Sequence, residues 1–231
     1  MAKLQQITVT LAPATLVALR ELGYALYVMR AFDTTNAAGK PLVWLTTTQF
    51  LENTTIAFEM KFQVYVSTSK VVANGIITVF TAAPVELGQT AAIDTGGTLT
   101  VTQGGNPTGV TILNKGTTPY TAGLAVQAND DFLSPIFAEP LHGLAEDIAA
   151  PREQFLLTFT TQGVAAGTLI GHAMSQSLLG DLAGADQQTV AFDIDTGWNA
   201  GGASWATPVP AGADLTPVLV HEKPLEARRR S

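Results

Sequence analysis

The sequence contains no cysteine and few charged residues for its length. Without cysteine, disulfide frameworks, thiolate zinc sites, iron–sulfur clusters and cysteine nucleophiles are all excluded. Charged residues make up 13% of the chain, against about 25% in ordinary globular proteins. Hydrophobic residues make up 46%, which is enough apolar surface for a packed core and argues against intrinsic disorder.

The sequence also lacks a long hydrophobic run. Its apolar stretches are far shorter than the roughly 18 residues that a membrane-spanning helix needs. The first six residues, MAKLQQ, contain no apolar h-region and predict no secretory signal peptide. We therefore expect a soluble protein without a transmembrane helix, which is cytoplasmic or is released by a route that leaves no N-terminal signature.

The net charge of −7 is unevenly distributed. Residues 1–70 carry six basic and four acidic side chains, whereas residues 71–227 carry three basic and fifteen acidic ones. Such an acidic segment repels phosphate backbones, so nucleic acid is not an expected partner. Residues 228–231 contain three arginines and are predicted to form a basic tail that is flexible or derived from cloning.

Turn-forming residues are frequent, with 21 glycines and 12 prolines along the chain. They separate short apolar segments at intervals of about ten residues, which is typical of many short strands. One helix is predicted over residues 13–22, with Pro13 at its start and Gly23 as its C-cap. The sequence predicts a single all-β domain over residues 1–227, an antiparallel β-sandwich of jelly-roll type with ten to twelve strands.

Residues 54–69 show the clearest periodicity. Apolar side chains at positions 56, 58, 60, 62, 64 and 66 alternate with mostly polar ones, which predicts one long half-buried strand. Asn74-Gly75 is a typical turn dipeptide, and residues 75–81 are predicted to be the antiparallel partner of that strand. Residues 175–182 are expected to form a turn or two of helix.

The tripeptide Asp-Thr-Gly occurs twice, beginning at Asp94 and at Asp195. This repeat resembles the signature of the pepsin-type aspartic proteases, in which two carboxylates share one proton. The resemblance implies that Asp94 and Asp195 are the catalytic pair. That family continues each loop with Ser or Thr two places after the glycine; Thr98 matches this pattern and Asn199 does not. Asp-Thr-Gly is also common in turns at strand ends, and the sequence favours two turns.

Asp193, Asp195 and Asn199 place oxygen ligands at alternate positions around Gly197, like the first half of a calcium loop. The position of the bidentate glutamate that completes such a loop is occupied by Ser204. A solvated turn is therefore favoured over a Ca²⁺ site. His172 lies in an apolar pattern without a second histidine at metal-ligand spacing, and it is predicted to be a hydrogen-bonded histidine in the core or at an interface.

Trp198 and Trp205 flank residues 199–204, a glycine-rich loop that begins with Asn199. Exposed aromatic rings beside amide and hydroxyl groups suit stacking on sugars or insertion among lipid headgroups. The alternative is that both rings pack down and anchor the loop. Trp198, Asn199 and Trp205 are the candidate ligand-binding residues of the sequence.

No nucleophile elbow, dinucleotide-binding loop or phosphate-binding loop is present in the sequence. We therefore expect a non-enzymatic protein without a required cofactor. The first hypothesis is a lectin-like or cytolysin-like protein that binds glycans or lipid headgroups through loops. The second is a structural subunit, of a shell or a fibre, that self-associates through neutral threonine-rich strands. The third is an aspartic peptidase that uses Asp94 and Asp195.

Overall fold

The computed structural model of the chain describes residues 4–59, 61–127 and 133–222. Over these residues the protein consists mostly of β strands, which confirms the all-β prediction. The helices are α1 (Pro13–Glu21) and α2 (Thr216–Leu219). The strands are β1 (Leu4–Leu11), β2 (Ala25–Thr34), β3 (Lys40–Pro41), β4 (Val43–Thr47), β5 (Asn53–Glu59), β6 (Phe62–Ser67), β7 (Thr81–Val85), β8 (Gln89–Ile93), β9 (Leu99–Gln103), β10 (Val110–Asn114), β11 (Tyr120–Gln127), β12 (Leu133–Pro135), β13 (Phe137–Leu141), β14 (Glu146–Thr160), β15 (Ser177–Asp181), β16 (Gln187–Asp193), β17 (Gly197–Asn199), β18 (Ala206–Val209) and β19 (Val220–Glu222). The basic tail predicted over residues 228–231 lies outside the described residues.

The strands form three sheets. A four-stranded sheet has the order β17-β16-β1-β5, and a six-stranded sheet has the order β3-β13-β11-β6-β7, with β12 also paired to β11. A nine-stranded sheet has the order β18-β15-β14-β10-β8-β9, and β2 joins it by pairing with β14, β4 and β19. The structure describes 19 strands, against the ten to twelve predicted, and four of them are only two or three residues long.

The sheets are not purely antiparallel. Among the described strands, β1 pairs in parallel with β16, β8 with β10, and β2 with β19. Parallel neighbours need a long connection between them, and each of these pairs is separated by intervening strands in the sequence. The prediction of an exclusively antiparallel arrangement is therefore wrong in these three places.

The prediction of one long strand over residues 54–69 is also wrong. The chain divides there into β5, which pairs with β1, and β6, which pairs with β11 and β7 in a different sheet. The period-two pattern continues through the break because both strands point alternate side chains into the same core, including Phe58 and Val64. Lys61 at the corner forms an ion pair with Glu59. Met60 lies outside the described residues.

Two neighbouring predictions change for similar reasons. Strand β6 pairs with β7, which begins at Thr81, so only the last residue of the predicted partner strand 75–81 lies opposite β6 in the sheet. Within residues 175–182 the structure has strand β15 (Ser177–Asp181) and no helix, because β14 and β18 supply partners on both sides. The predicted N-terminal helix is confirmed as α1, which ends at Glu21 with Gly23 in the left-handed region at φ +72°.

The nine-stranded and six-stranded sheets meet through their apolar faces. Phe32 of β2 stacks on Phe137 of β13 with ring centroids 4.0 Å apart. The Trp44 Nε1–H of β4 donates to the Val126 carbonyl of β11 at 2.9 Å. The main apolar core contains residues from all three sheets, and a smaller cluster lies on the opposite face of β2 around Tyr27. No helix in the described part of the chain is long and apolar enough to cross a membrane.

Candidate functional site

Residues 71–80 form most of the connection between β6 and β7 and contain no charged residue. We call them the apolar segment. The segment has little regular structure, but its backbone is held by neighbouring chain. The Phe80 N–H donates to the Val66 carbonyl at 2.8 Å, and the Asn74 N–H donates to the Leu169 carbonyl at 3.0 Å. These bonds anchor the middle and the end of the segment, and Ile77 is its buried side chain, whereas most of the other side chains face outward.

A tight turn lies within the apolar segment at Asn74-Gly75. Asn74 has φ 59°, and the Gly75 N–H donates to the Val72 carbonyl at 2.9 Å. A Cβ on Gly75 would lie 2.9 Å from both the Val72 carbonyl and its methyl group, so only glycine fits. The predicted turn is confirmed, although it does not join the two strands that the sequence predicts on either side of it.

The apolar segment is unusual in what it exposes. Among the described residues, ten large hydrophobic side chains are exposed, and four of them belong to this segment. They are Val72 at 53%, Ile76 at 56%, Val79 at 39% and Phe80 at 62% of full exposure. Isolated exposed hydrophobic residues are common, whereas four within nine residues of one segment favour a surface that binds another molecule.

A groove of about 670 Å³ borders the apolar segment, and we call it the charged groove. Residues 169–173 run between the apolar segment on one side and residues 212–216 on the other. The Leu169 N–H donates to the Gly75 carbonyl and the Leu215 N–H to the Gly171 carbonyl, both at 2.9 Å. The described residues that line the groove are mostly apolar, and they include Val71, Val72, Leu169, Ile170, Ala173 and Met174.

Charged and polar groups are concentrated at one place in the groove. Lys40 Nζ lies 3.4 Å from Thr216 Oγ1, and the Thr216 N–H donates to Asp214 Oδ1 at 2.8 Å. His172 faces Asp214 across an isolated antiparallel bridge. The bond from the Thr216 N–H, with smaller contributions from His172 and Lys40, holds the pKa of the Asp214 carboxyl below its usual value. Asp214 is therefore an anion at neutral pH.

The prediction for His172 is wrong in one respect. The imidazole is neither in the core nor in a regular strand, since His172 is exposed in the charged groove and only its backbone forms a bridge. The apolar neighbours that suggested burial, Ile170 and Ala173, do point into the smaller core cluster.

The two tryptophans of the sequence-based ligand site are half-buried. The Trp198 ring stacks on Phe159 and packs against Phe192, with ring centroids 5.6 and 4.8 Å apart respectively. Its Nε1–H donates to the Gln176 carbonyl at 3.2 Å. Trp205 also packs against the main core, while Asn199 is exposed. These contacts anchor both rings at the ends of the loop. Ligand binding by Trp198, Asn199 and Trp205 stays a prediction.

We expect Trp198→Ala to lower the free energy of unfolding by about 2–3 kcal/mol, because it removes a ring from an aromatic cluster. Urea denaturation followed by circular dichroism measures this loss. Trp198→Phe keeps a stacked ring and should recover at least half of it. A loss below about 0.5 kcal/mol for Trp198→Ala would show that the ring does not anchor the loop.

Asp94 and Asp195 lie in turns that belong to different sheets, between β8 and β9 and between β16 and β17. Asp94 Oδ1 accepts the Gly96 and Thr98 N–H groups, each at 2.9 Å. These bonds lower the pKa of the Asp94 carboxyl, which suits an ionised turn residue. A catalytic role of the pair stays a prediction, and the local contacts of Asp94 are those of a turn.

Asp193 uses both of its carboxylate oxygens inside the protein. Oδ2 accepts the Thr15 hydroxyl at 2.8 Å, and Oδ1 accepts the Asp195 and Thr196 N–H groups at 3.0 and 3.1 Å. The Thr15 hydroxyl and these amides lower the pKa of the Asp193 carboxyl. No group of three or more His, Asp or Glu side chains in the described ranges is arranged to hold a metal ion. Calcium binding by Asp193, Asp195 and Asn199 stays a prediction.

Comparison with known proteins finds no matching family model, no similar curated protein and no similar solved structure. Sequence reasoning missed the charged groove, because Lys40, His172 and Asp214 are far apart in the chain. The uncharged run of residues 71–80 was visible in the sequence, but residues 75–81 were interpreted as a strand.

Proposed function

We propose that this protein is a non-enzymatic binding protein that attaches reversibly to zwitterionic phospholipid membranes through the apolar segment. The observation that carries the proposal is the grouping of four exposed hydrophobic side chains within residues 72–80. It keeps the lipid-binding part of the first hypothesis and moves the binding surface from Trp198 and Trp205 to this segment.

The apolar segment is suited to the boundary between headgroups and acyl chains. It has no charged residue to dehydrate, and several of its backbone N–H groups already donate within the protein, including those of Asn74, Ile77 and Phe80. Burying a large apolar side chain completely is worth about 1.5–3 kcal/mol, so side chains that are about half exposed contribute about 1 kcal/mol each. Four of them support weak, reversible attachment.

The charge of the protein indicates which membrane surface is favoured. The chain has a net charge of −7, and a surface rich in anionic lipids repels such a protein. A zwitterionic surface has no net charge, so the apolar contribution is not opposed by long-range repulsion. We therefore expect attachment that changes little with salt concentration.

The scaffold that we infer for this surface is a β-sandwich of the predicted jelly-roll type. The stacking of Phe32 on Phe137 between the nine-stranded and six-stranded sheets supports face-to-face packing. In such a scaffold, segments between strands present binding side chains from a rigid core.

The test measures partitioning of the full chain onto phosphatidylcholine vesicles by flotation. Ile76→Ser/Phe80→Ser should reduce the partition coefficient by about tenfold to a hundredfold, because it removes two of the exposed apolar contacts. The matched control is Val17→Ser/Leu51→Ser, which removes side chains of similar exposure outside the segment, at 53% and 63%. Thermal denaturation of both variants confirms that they are folded.

Equal partitioning of the wild type and the Ile76/Phe80 variant would contradict the proposal. Light scattering without vesicles tests the second hypothesis on the same proteins. A dimer that becomes a monomer in the Ile76/Phe80 variant, with no vesicle binding by either protein, would identify a second copy of the chain as the occupant of the segment.

A further inference from the structure

The charged groove places a cation and an anion beside the proposed membrane-binding surface. We propose that it binds a phosphoethanolamine headgroup, with the phosphate against Lys40 and His172 and the primary amine against Asp214. This inference rests on the proposed function and names the headgroup chemistry that the same surface recognises.

The opposite charges in the groove are close together and held in place. Thr216 connects them, since its hydroxyl lies 3.4 Å from Lys40 Nζ and its N–H donates to Asp214 Oδ1 at 2.8 Å. The Cα atoms of residues paired across an antiparallel bridge, as His172 and Asp214 are, lie about 4.5–5.5 Å apart. A small headgroup therefore meets all three side chains at once.

A zwitterion fits this arrangement better than a simple ion does. A purely anionic ligand would be attracted by Lys40 and repelled by Asp214, which is ionised at neutral pH. A purely cationic ligand would be attracted by Asp214 and repelled by Lys40. Phosphoethanolamine carries both charges in one short molecule, so its phosphate can contact Lys40 while its ammonium group contacts Asp214. His172 offers an N–H donor to the phosphate in either protonation state.

The lining of the groove favours a primary amine over the quaternary amine of choline. Proteins hold quaternary ammonium groups in cages of aromatic rings. No Trp, Tyr or Phe is among the described residues that line the groove. A primary ammonium group has three N–H donors, and the carboxylate of Asp214 accepts such hydrogen bonds directly.

The rest of the groove suits the remainder of a phospholipid. Away from Lys40, His172 and Asp214, the lining of the groove is mostly apolar and includes Ile170 and Met174. Val72 lines the groove and is also one of the exposed side chains of the apolar segment. A headgroup bound at Lys40 and Asp214 therefore leaves its acyl chains next to the part of the protein that enters the membrane.

The first experiment uses no membrane. The ¹⁵N-labelled full chain is titrated with O-phosphoethanolamine, inorganic phosphate or ethanolamine, and amide shifts are recorded by NMR. We expect saturable shifts around Lys40, His172 and Asp214, with O-phosphoethanolamine binding at least about tenfold more tightly than the other two compounds. Equal binding of inorganic phosphate, or no saturable shift at these residues, would overturn the inference.

Charge-removing variants locate the binding. Lys40→Met and Asp214→Asn should each weaken binding of O-phosphoethanolamine by about tenfold or more, since each removes one of the two charge contacts. The matched controls are Lys115→Met and Glu52→Gln, which remove the same charges from exposed positions outside the groove and should bind as the wild type does. Unchanged binding by Lys40→Met, which removes no cap or core contact, would assign the shifts to another site.

Vesicles then separate this inference from the proposed function. The wild type should prefer vesicles that contain equal parts of phosphatidylethanolamine and phosphatidylcholine over pure phosphatidylcholine, and Lys40→Met should lose that preference while still binding both. Binding to both vesicles without preference overturns the headgroup assignment and leaves the proposed function standing. Binding of O-phosphoethanolamine in solution without attachment to any vesicle overturns the proposed function and identifies a soluble phosphoethanolamine as the ligand.

Discussion

Raising the pH from 5 to 9 should lower the free energy of unfolding by about 3–5 kcal/mol through one buried carboxyl group, Glu139. Glu139 lies on β13 beside Phe137, on the face where the six-stranded and nine-stranded sheets meet, and it is fully buried. The Thr34 hydroxyl donates to Oε2 at 2.6 Å, while Oε1 has no hydrogen-bond partner among the described residues.

The direction follows from the pKa of Glu139. Burial, reinforced by nearby Asp147, raises this pKa from 4.5 to about 8, and the single bond from Thr34 offsets only part of the effect. Between these two values the folded protein holds a proton that the unfolded chain releases. The stability contributed by this proton is complete below pH 4.5 and is lost as the pH rises through 8.

Urea denaturation at pH 5, 7 and 9 measures this dependence, and a neutral isostere isolates it. Glu139→Gln should be slightly less stable than the wild type at pH 5 and more stable at pH 9, because an amide does not ionise. The control is Glu146→Gln, the same change at an exposed position at the start of β14, which should follow the wild type. A pH dependence that is the same in Glu139→Gln would show that other groups cause it.

We expect the second large effect at Arg30, where Arg30→Ala should lower the free energy of unfolding by about 3–5 kcal/mol. Arg30 of β2 is fully buried, with its guanidinium carbon 4.2 Å from the Phe58 ring centroid and 5.3 Å from that of Trp44. Its Nη2–H donates to the Arg152 carbonyl at 2.8 Å. Alanine removes these contacts and leaves a cavity between β2, β4 and β5.

Arg30 remains charged at neutral pH. Burial lowers its pKa to about 10, and the nearby charge of Glu153 opposes that shift. A buried charge is expensive to keep, so much of what Arg30→Ala loses is packing and not charge. Arg30→Met, which fills most of the same volume, should therefore lose less than half as much.

Chemical denaturation at pH 7 compares these variants with Arg20→Ala. Arg20 is an exposed arginine of α1 that donates to the Phe50 carbonyl at 2.7 Å. Its removal should cost no more than about 1 kcal/mol. Equal losses for Arg30→Ala and Arg30→Met would mean that the charge, and not the filled volume, stabilises this part of the core.

Local patterns predicted several elements well because short-range physics decides them. Pro13 and Gly23 bracket α1 as expected, since a proline fits the first turn of a helix and a glycine adopts the left-handed conformation after its end. Asn74-Gly75 forms a turn for a similar reason, with Asn74 at φ 59°. The strand periodicity was correct on both sides of Met60, but a period of two does not show where a strand leaves one sheet for another.

The candidate site was only partly visible from the sequence. A tryptophan beside a glycine-rich loop suggests binding, but whether the ring faces water depends on its neighbours, and Phe159 and Phe192 come from different strands to cover Trp198. Conversely, the apolar run within residues 75–81 favours a strand that pairs with the one before it. It is exposed because β7 begins at Thr81 and takes the place beside β6.

The sequence by itself determined the all-β class, the absence of thiol chemistry, the acidic balance of the chain and the positions of its turns, because composition and local conformational preference control these properties. Only the tertiary structure decided which strands are neighbours, which apolar residues remain at the surface, and that Lys40, His172 and Asp214 share one groove. Strand pairing joins residues that are more than a hundred positions apart, such as Leu42 with Leu169, and no local pattern encodes such a meeting.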